Sequence, residues 1–358
     1  MKTKSYLVLV FVNILLLAAC SKDTVKQQPG PQDHGFKSGL LTFSANGQLV
    51  DAMIDTAHDL ILVTTKDTTG QSKLVINFTL QSQASASING QNIINGATVD
   101  LTSPLNFTVT SADKSRSSTF KLVAETELGY IGMPGIVIAQ NSLDKSYSYY
   151  FDQFDGSTWQ SINCGPTSTT MAIKWADSTF TGKPLDARHM YLPQGGWWNT
   201  SQILAYLYDN GIDSQVDTLA DFNGQIKNAI DKNNVVILNP DMNYIPYNET
   251  GYQHINKFYT TTPFWGHYIL VKGYKQINSD FYLDVYDPFS EGQRYTSAFD
   301  MGQIKGQDRY YNAGDVRLST KNWWPYAIII APKGKKVTNS IKLRINSLSK
   351  PIPISYGR

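Results

Sequence analysis

The sequence predicts an α+β protein in which a small all-β unit precedes a larger mixed one. Between residues 36 and 127, short runs rich in Val, Ile, Thr and Phe alternate with Gly, Asn and Asp turns, the pattern of an immunoglobulin-like β-sandwich without a disulfide. From residue 146 onward, helix-like segments come first and antiparallel strands later, the order expected of an α+β domain. A chain of 358 residues is long enough for two separate cores.

Taken in order, the chain opens with MKTKSYLVLVFVNILLLAAC. Lys2 and Lys4, an apolar run from Tyr6 to Leu17 broken only by Asn13, and a small-residue ending are the three parts of a secretory signal. The run is shorter than the roughly 20 residues a membrane span needs. Its Leu17–Cys20 ending resembles a bacterial lipobox, which implies that Cys20 is acylated and becomes the mature N-terminus. Residues 1–20 are therefore expected to be a lipoprotein signal, and residues 21–35, polar with Gly and Pro, a flexible tether. The runs LLTFSA, DLILVTT, KLVINFTL, ASASING, LNFTVTSA and STFKLVAE supply the strands of the sandwich at 36–127. A connector at 128–145 leads to the second domain at 146–332, and a basic tail fills 333–358.

Composition narrows the function. At 41% hydrophobic and 17% charged the chain is an ordinary folded protein, and a net charge of +2 gives no reason to expect a nucleic-acid partner. There are two cysteines. With Cys20 acylated, Cys164 is left as a free thiol, so neither an intrachain disulfide nor a cysteine-based metal site is expected, and no cofactor. An exported protein that keeps one unpaired cysteine suggests a chemical use for it.

That cysteine stands in QFDGSTWQSINCGPTSTTMAIKW. Pro166 suits a first helical position, and Thr167 to Trp175 reads as the helix. The sulfur then sits at a helix N-terminus, where unpaired N–H groups and the macrodipole favour its anionic form over that of a free thiol of pKa about 8.5. Cys164, Ser168, Met171, Ala172 and Trp175 share one face, which would anchor the helix. SQILAYLYDNGI reads as a second helix ending at Asn210–Gly211, and Asp221 to Asp231 as a third. NVVILNP, GHYILVKGY, FYLDVYDP and PYAIIIAP read as strands.

Nucleophilic catalysis by cysteine needs a base, a group that orients the base, and donors for the oxyanion. His267 opens one predicted strand and Asp287 closes the next. If the two strands are hairpin neighbours, their facing ends bring His267 and Asp287 together. In their order along the chain, NCGPTSTTMAIKW, GHYILVKGY and YDP resemble a papain-like cysteine peptidase. Within that clan they are most similar to the bacteriocin-processing, double-glycine-leader peptidases. The resemblance covers about residues 146–332 and implies a papain-like fold, a cysteine helix packed against an antiparallel sheet that carries His and Asp. It implies Cys164 as nucleophile, His267 as general base and acid, and Asp287 as orienter. It also implies an upstream glutamine that donates to the oxyanion. Gln153 and Gln160 both precede the cysteine; Gln153 is expected, because Asp155–Gly156 lets the chain double back between it and the helix. The sandwich resembles a domain that recurs in bacterial surface lipoproteins and implies a spacer or adhesion module.

The expected protein is thus an exported cysteine peptidase, lipid-anchored in the cell envelope at the outer membrane of a Gram-negative bacterium, with a peptide or protein as substrate. Two other readings are a transglutaminase-like cysteine acyl-transferase, which differs mainly in its acceptor, and a non-catalytic surface binding lipoprotein.

Overall fold

The structure is a computed structural model that describes residues 39–296, 300 and 302–337. The signal-like segment with Cys20, the tether, and the tail from residue 338 onward lie outside the described residues.

The first unit is built from β1 (Leu40–Ala45), β2 (Met53–Asp55), β3 (Leu60–Thr65), β4 (Leu74–Leu80), β5 (Ser85–Ile88), β6 (Gln91–Ile93), β7 (Ala97–Val99), β8 (Leu105–Thr110) and β9 (Ser117–Thr126). They form two sheets, ordered β1-β4-β7 and β2-β3-β9-β8-β5-β6. Pairing is antiparallel except between β3 and β9. Along β9 buried and wet positions alternate, because one face of the sheet meets the core and the other meets water. Phe43, Ile76 and Phe78 of the smaller sheet pack on Ile61, Phe107, Phe120 and Leu122 of the larger. The Phe107 ring lies edge-on to Phe43 and Phe78, at 5.4 and 5.3 Å between centroids.

Thr126 then caps a short helix, α1 (Glu127–Tyr130), by accepting from the Gly129 N–H. The segment expected as a connector at 128–145 holds more structure than that. β10 (Val137–Ser142) lies within it and pairs with the central sheet of the second unit.

That unit comprises α2 (Cys164–Ala176), α3 (Pro184–Met190), α4 (Thr200–Asp209), β11 (Ser214–Thr218), α5 (Phe222–Asp231), β12 (Val235–Leu238), β13 (Ile269–Ile277), β14 (Asp280–Tyr286), β15 (Arg309–Asn312), α6 (Ala313–Asn322) and β16 (Tyr326–Ile330). The sheet order is β11-β16-β12-β13-β14-β15, antiparallel throughout. β12 and β10 occupy successive lengths of one edge of β13, pairing with residues 269–271 and 273–277 respectively. Gly273 makes this possible. A Cβ there would stand 2.6 Å from the Asn141 carbonyl oxygen, so only glycine lets β10 approach.

The apolar runs of β12 and β16 are continuous because both faces of the sheet are covered. Val235, Ile237, Ile328 and Ile330 pack with Met171 and Trp175 of α2 and Ile203 and Leu207 of α4. Val236, Leu238, Ala327 and Ile329 pack on the other side with Ile226 and Ile230 of α5 and Val316 of α6. The result is three layers, helix on sheet on helix. Each such side chain taken from water contributes about 1.5–3 kcal/mol.

The helices and strands expected from the sequence are all present. α3, α6, β10, β11 and β15 are additions to them. α3 carries a start signal in its own residues: Pro184 is its first residue, and the Asp186 carboxylate accepts from the Lys183 N–H at 2.8 Å. Buried Lys272 ties the unit to its lead-in, with its ammonium 2.7 Å from Asp144, 2.9 Å from Asp284 and 2.7 Å from Asp308.

Candidate active site

α2 starts at Cys164 itself, so Pro166 is its third residue and not the first, as the sequence had suggested. The proline is still tolerated, because no N–H of the first helical turn has a partner within the helix. The same rule leaves the Cys164 amide free to donate. Gly165 is pressed against Trp198; a Cβ there would lie 2.8 Å from the Trp198 Cβ. Two bonds fix the helix. The Ser168 hydroxyl donates to the Tyr268 carbonyl at 3.0 Å, and the Trp175 indole N–H donates to the Leu143 carbonyl at 3.0 Å. Because Tyr268 follows His267, the Ser168 bond sets the cysteine helix in register with the histidine.

His267 lies just ahead of β13, not within it, and its N–H donates to the Pro240 carbonyl. Asp287 lies just past the end of β14, and the register Leu270↔Tyr286 brings these two strand ends side by side. His267 Nε2 and Asp287 Oδ1 are 2.7 Å apart, both residues buried. With Nε2 committed to Asp287, Nδ1 is the nitrogen left for Cys164, whose sulfur acts electrostatically on the His267 ring. Cys164 itself is only 3% exposed. The three residues that the sequence singled out, Cys164, His267 and Asp287, therefore meet in one place.

The electrostatics follow from burial and pairing. Burial alone would push His267 down; the Asp287 carboxylate, and behind it the Cys164 sulfur, more than reverse this and raise it to about 10. Burial likewise opposes the charge on Asp287, but His267, the Tyr311 hydroxyl and the Phe289 N–H hold its pKa below the ordinary carboxylate value. The carboxylate accepts four bonds. Oδ1 takes His267 and, at 2.9 Å, the Phe289 N–H; Oδ2 takes the Tyr259 hydroxyl at 2.8 Å and the Tyr311 hydroxyl.

The two glutamines make different contacts. Gln153 is 1% exposed. Its N–H donates to Pro288, the residue after Asp287, and its side-chain amide donates to the Gln160 carbonyl at 2.9 Å. The Gln160 side chain instead accepts from the Gly156 N–H at 3.0 Å and closes the loop between the two.

Beside Cys164 opens a cleft of 310 Å³ walled by Trp197, Trp198, Phe264, Trp265, Trp323 and Trp324. None of its lining side chains is an acid, a lysine or an arginine. Phe264 is 70% exposed at the lip and has a φ of +64°, a backbone strain unusual for an aromatic residue and one that clusters at functional sites. Among the described residues no group of three or more His, Cys, Asp or Glu side chains could hold a metal ion, and no helix is long and apolar enough to cross a membrane.

Tyr259, Tyr311 and Arg188 were not anticipated from the sequence. The tyrosines sit among the chain's 21 and carry no local signal of their own. Arg188 is fully buried, with its guanidinium on the Ile162 carbonyl and the Asn163 side chain just ahead of Cys164.

Residues 145–317 match the Peptidase_C39 like family, and residues 40–122 match the family described as SGBP, N-terminal. No curated protein matches the chain. Among solved structures, the chain is similar to a candidate C39-like peptidase from Bacillus anthracis, at 12% identity over 57% of this chain and 100% of that one, with a TM-score of 0.34. It is also similar to digestive procathepsin L 3 of the Tenebrio molitor larval midgut, at 14% identity over 56% and 72% of the two chains, with a TM-score of 0.36. The fold is α+β, with all-β sheets followed by a mixed domain whose sequence matches the Peptidase_C39 like family.

Proposed function

We propose that this chain is a cysteine peptidase that cleaves amide bonds, with Cys164 as nucleophile, His267 as base and acid, Asp287 as orienter and Gln153 as oxyanion donor. The observation that carries the reading is the buried His267–Asp287 pair at 2.7 Å, with the Cys164 sulfur near enough to help raise the ring. His267 raised to about 10 is an imidazolium at neutral pH, the partner that a thiolate needs.

In this mechanism the Cys164 sulfur attacks the scissile carbonyl carbon and the carbonyl oxygen becomes an oxyanion. The Cys164 N–H and the Gln153 amide donate to it. The C–N bond then breaks as His267 Nδ1 gives its proton to the leaving amine, which leaves a thioester on Cys164. Water, deprotonated by the now neutral His267, attacks the thioester and releases the acid. Asp287 holds the ring in one orientation and stays ionised throughout, as its four donors favour. The uncharged aromatic cleft beside Cys164 is where the substrate flanking the scissile bond would lie.

Turnover of a peptide library by purified Cys164→Ala and His267→Ala tests the reading. Each is expected to abolish cleavage, Cys164→Ala with the thermal melting point little changed and His267→Ala with a lowered one, because it leaves the buried Asp287 carboxylate without its cation; retained hydrolysis in Cys164→Ala would remove the cysteine mechanism. The lipid anchor is part of the proposal and is supported by the Leu17–Cys20 ending. The mass of the mature chain checks it: acyl groups on an N-terminal Cys20 are expected, and an unmodified N-terminus elsewhere would contradict it.

A further inference from the structure

Arg188 on α3 is 0% exposed, which is rare for a charged side chain. Its fork reaches two stretches of chain that line the cleft. Nε donates to the Asn163 side-chain oxygen at 2.8 Å and Nη2 to the Ile162 carbonyl at 3.1 Å, so it grips the two residues that lead into Cys164. Nη1 donates to the carbonyls of Gly196 at 2.8 Å and Leu192 at 3.4 Å, in the loop that carries Trp197 and Trp198.

A buried guanidinium ordinarily sits beside a carboxylate, since an uncompensated charge in the interior is costly. Among the described residues no carboxylate pairs with Arg188. Asp186 on its own helix is turned to the Lys183 N–H, and Asp209 on the neighbouring α4 takes the Tyr191 hydroxyl. Cys164 of α2 is the residue after Asn163, on which the fork closes, and its sulfur acts electrostatically on the guanidinium. Burial depresses Arg188, and the Cys164 sulfur opposes that depression. Arginine nevertheless remains charged in proteins.

We infer that Arg188 is a positioning residue for the reaction: its fork fixes the Ile162–Asn163 approach to Cys164, and its charge, answered by no carboxylate, balances the anionic sulfur. Asp287 holds His267 from one side of the site, and Arg188 holds the cysteine from the other. This rests on Cys164 acting as the nucleophile.

The test compares the full chain with Arg188→Lys and Arg188→Gln, reading alkylation of Cys164 by iodoacetamide at about pH 6 and about pH 9.5, either side of the reference thiol value. At the lower pH, Arg188→Gln is expected to alkylate about tenfold more slowly or worse, and Arg188→Lys, which keeps the charge, less so. At the higher pH the three rates converge. On a cleavable peptide, kcat falls in both variants while KM changes little. Equal rates at the lower pH would overturn the proposal, and so would equal slowing at both, which is what a merely structural role gives. If Arg188→Gln does not fold, Asn163→Asp serves instead, because it places a carboxylate on the fork; an unchanged ratio of the two rates would then count against the charge role. Alkylation needs no turnover, so these outcomes are separate from those of Cys164→Ala, on which the peptidase reading stands.

Discussion

At Asp287 both carboxylate oxygens are used twice, and this decides how the site responds to pH. Asp287 is the chief reason that His267 is raised to about 10 against the pull of burial. A histidine raised on folding contributes stability that is complete below its unfolded value of about 6.5 and is lost as pH rises through the folded value. The folded protein should therefore lose stability between neutral pH and about 10, and kcat/KM should fall over the same alkaline limb. Asp287→Asn removes the charge that raises His267, so its alkaline limb should move down toward neutrality and its kcat should fall, less completely than in Cys164→Ala. A pH–rate profile of both proteins checks this; coincident alkaline limbs would contradict it. The glutamines make a second residue-scale test. Gln153→Ala should raise the barrier to kcat by about 2.7–4 kcal/mol, the size of one oxyanion donor. Gln160→Ala, which loses only a loop contact to Gly156, should be mild in kcat. The opposite order would transfer the role to Gln160.

Among the elements, β10 has the largest consequence for where the second unit begins. It covers the β13 edge over residues 273–277, and the nearby Asp144 is one of three carboxylates around buried Lys272. A chain that begins at Ser146 lacks both and exposes the edge of a central strand, which invites pairing between molecules. Such a chain should be less soluble and less stable than one beginning at Gly132, by several kcal/mol if each lost ladder bond contributes about 0.5–1.5. Urea unfolding of the two measures the difference, and equal stabilities would reduce β10 to a passive linker. These elements also mark what could be read from the residues alone. Cys164 at a helix start, and His267 and Asp287 at the ends of neighbouring strands, were legible because local pattern and hairpin geometry govern them. β10 was not, because VIAQNS is a weak strand until Gly273, far along the chain, lets it dock. Tyr259, Tyr311 and Arg188 were hidden for the same reason, since each reaches the site across long stretches of sequence.

At the scale of the whole molecule, the sandwich is packed against the second unit. Leu62 and Tyr130 cluster with Tyr252, whose ring lies 5.0 Å from that of Tyr130, and the His254 N–H donates to the Ile131 carbonyl. Arg309, fully buried, grips the carbonyls of Gln253, Ile255 and Asn256 and so fixes the segment on which the sandwich rests. The covalent step at Cys164 is what a cysteine peptidase cannot do without. Rapid acid quench of the enzyme with a cleavable peptide, followed by mass spectrometry of the peptide bearing Cys164, measures it directly. An acyl group on Cys164 is expected to form during turnover and to disappear as the peptide is used up. Cleavage at full rate with Cys164 never acylated would contradict it.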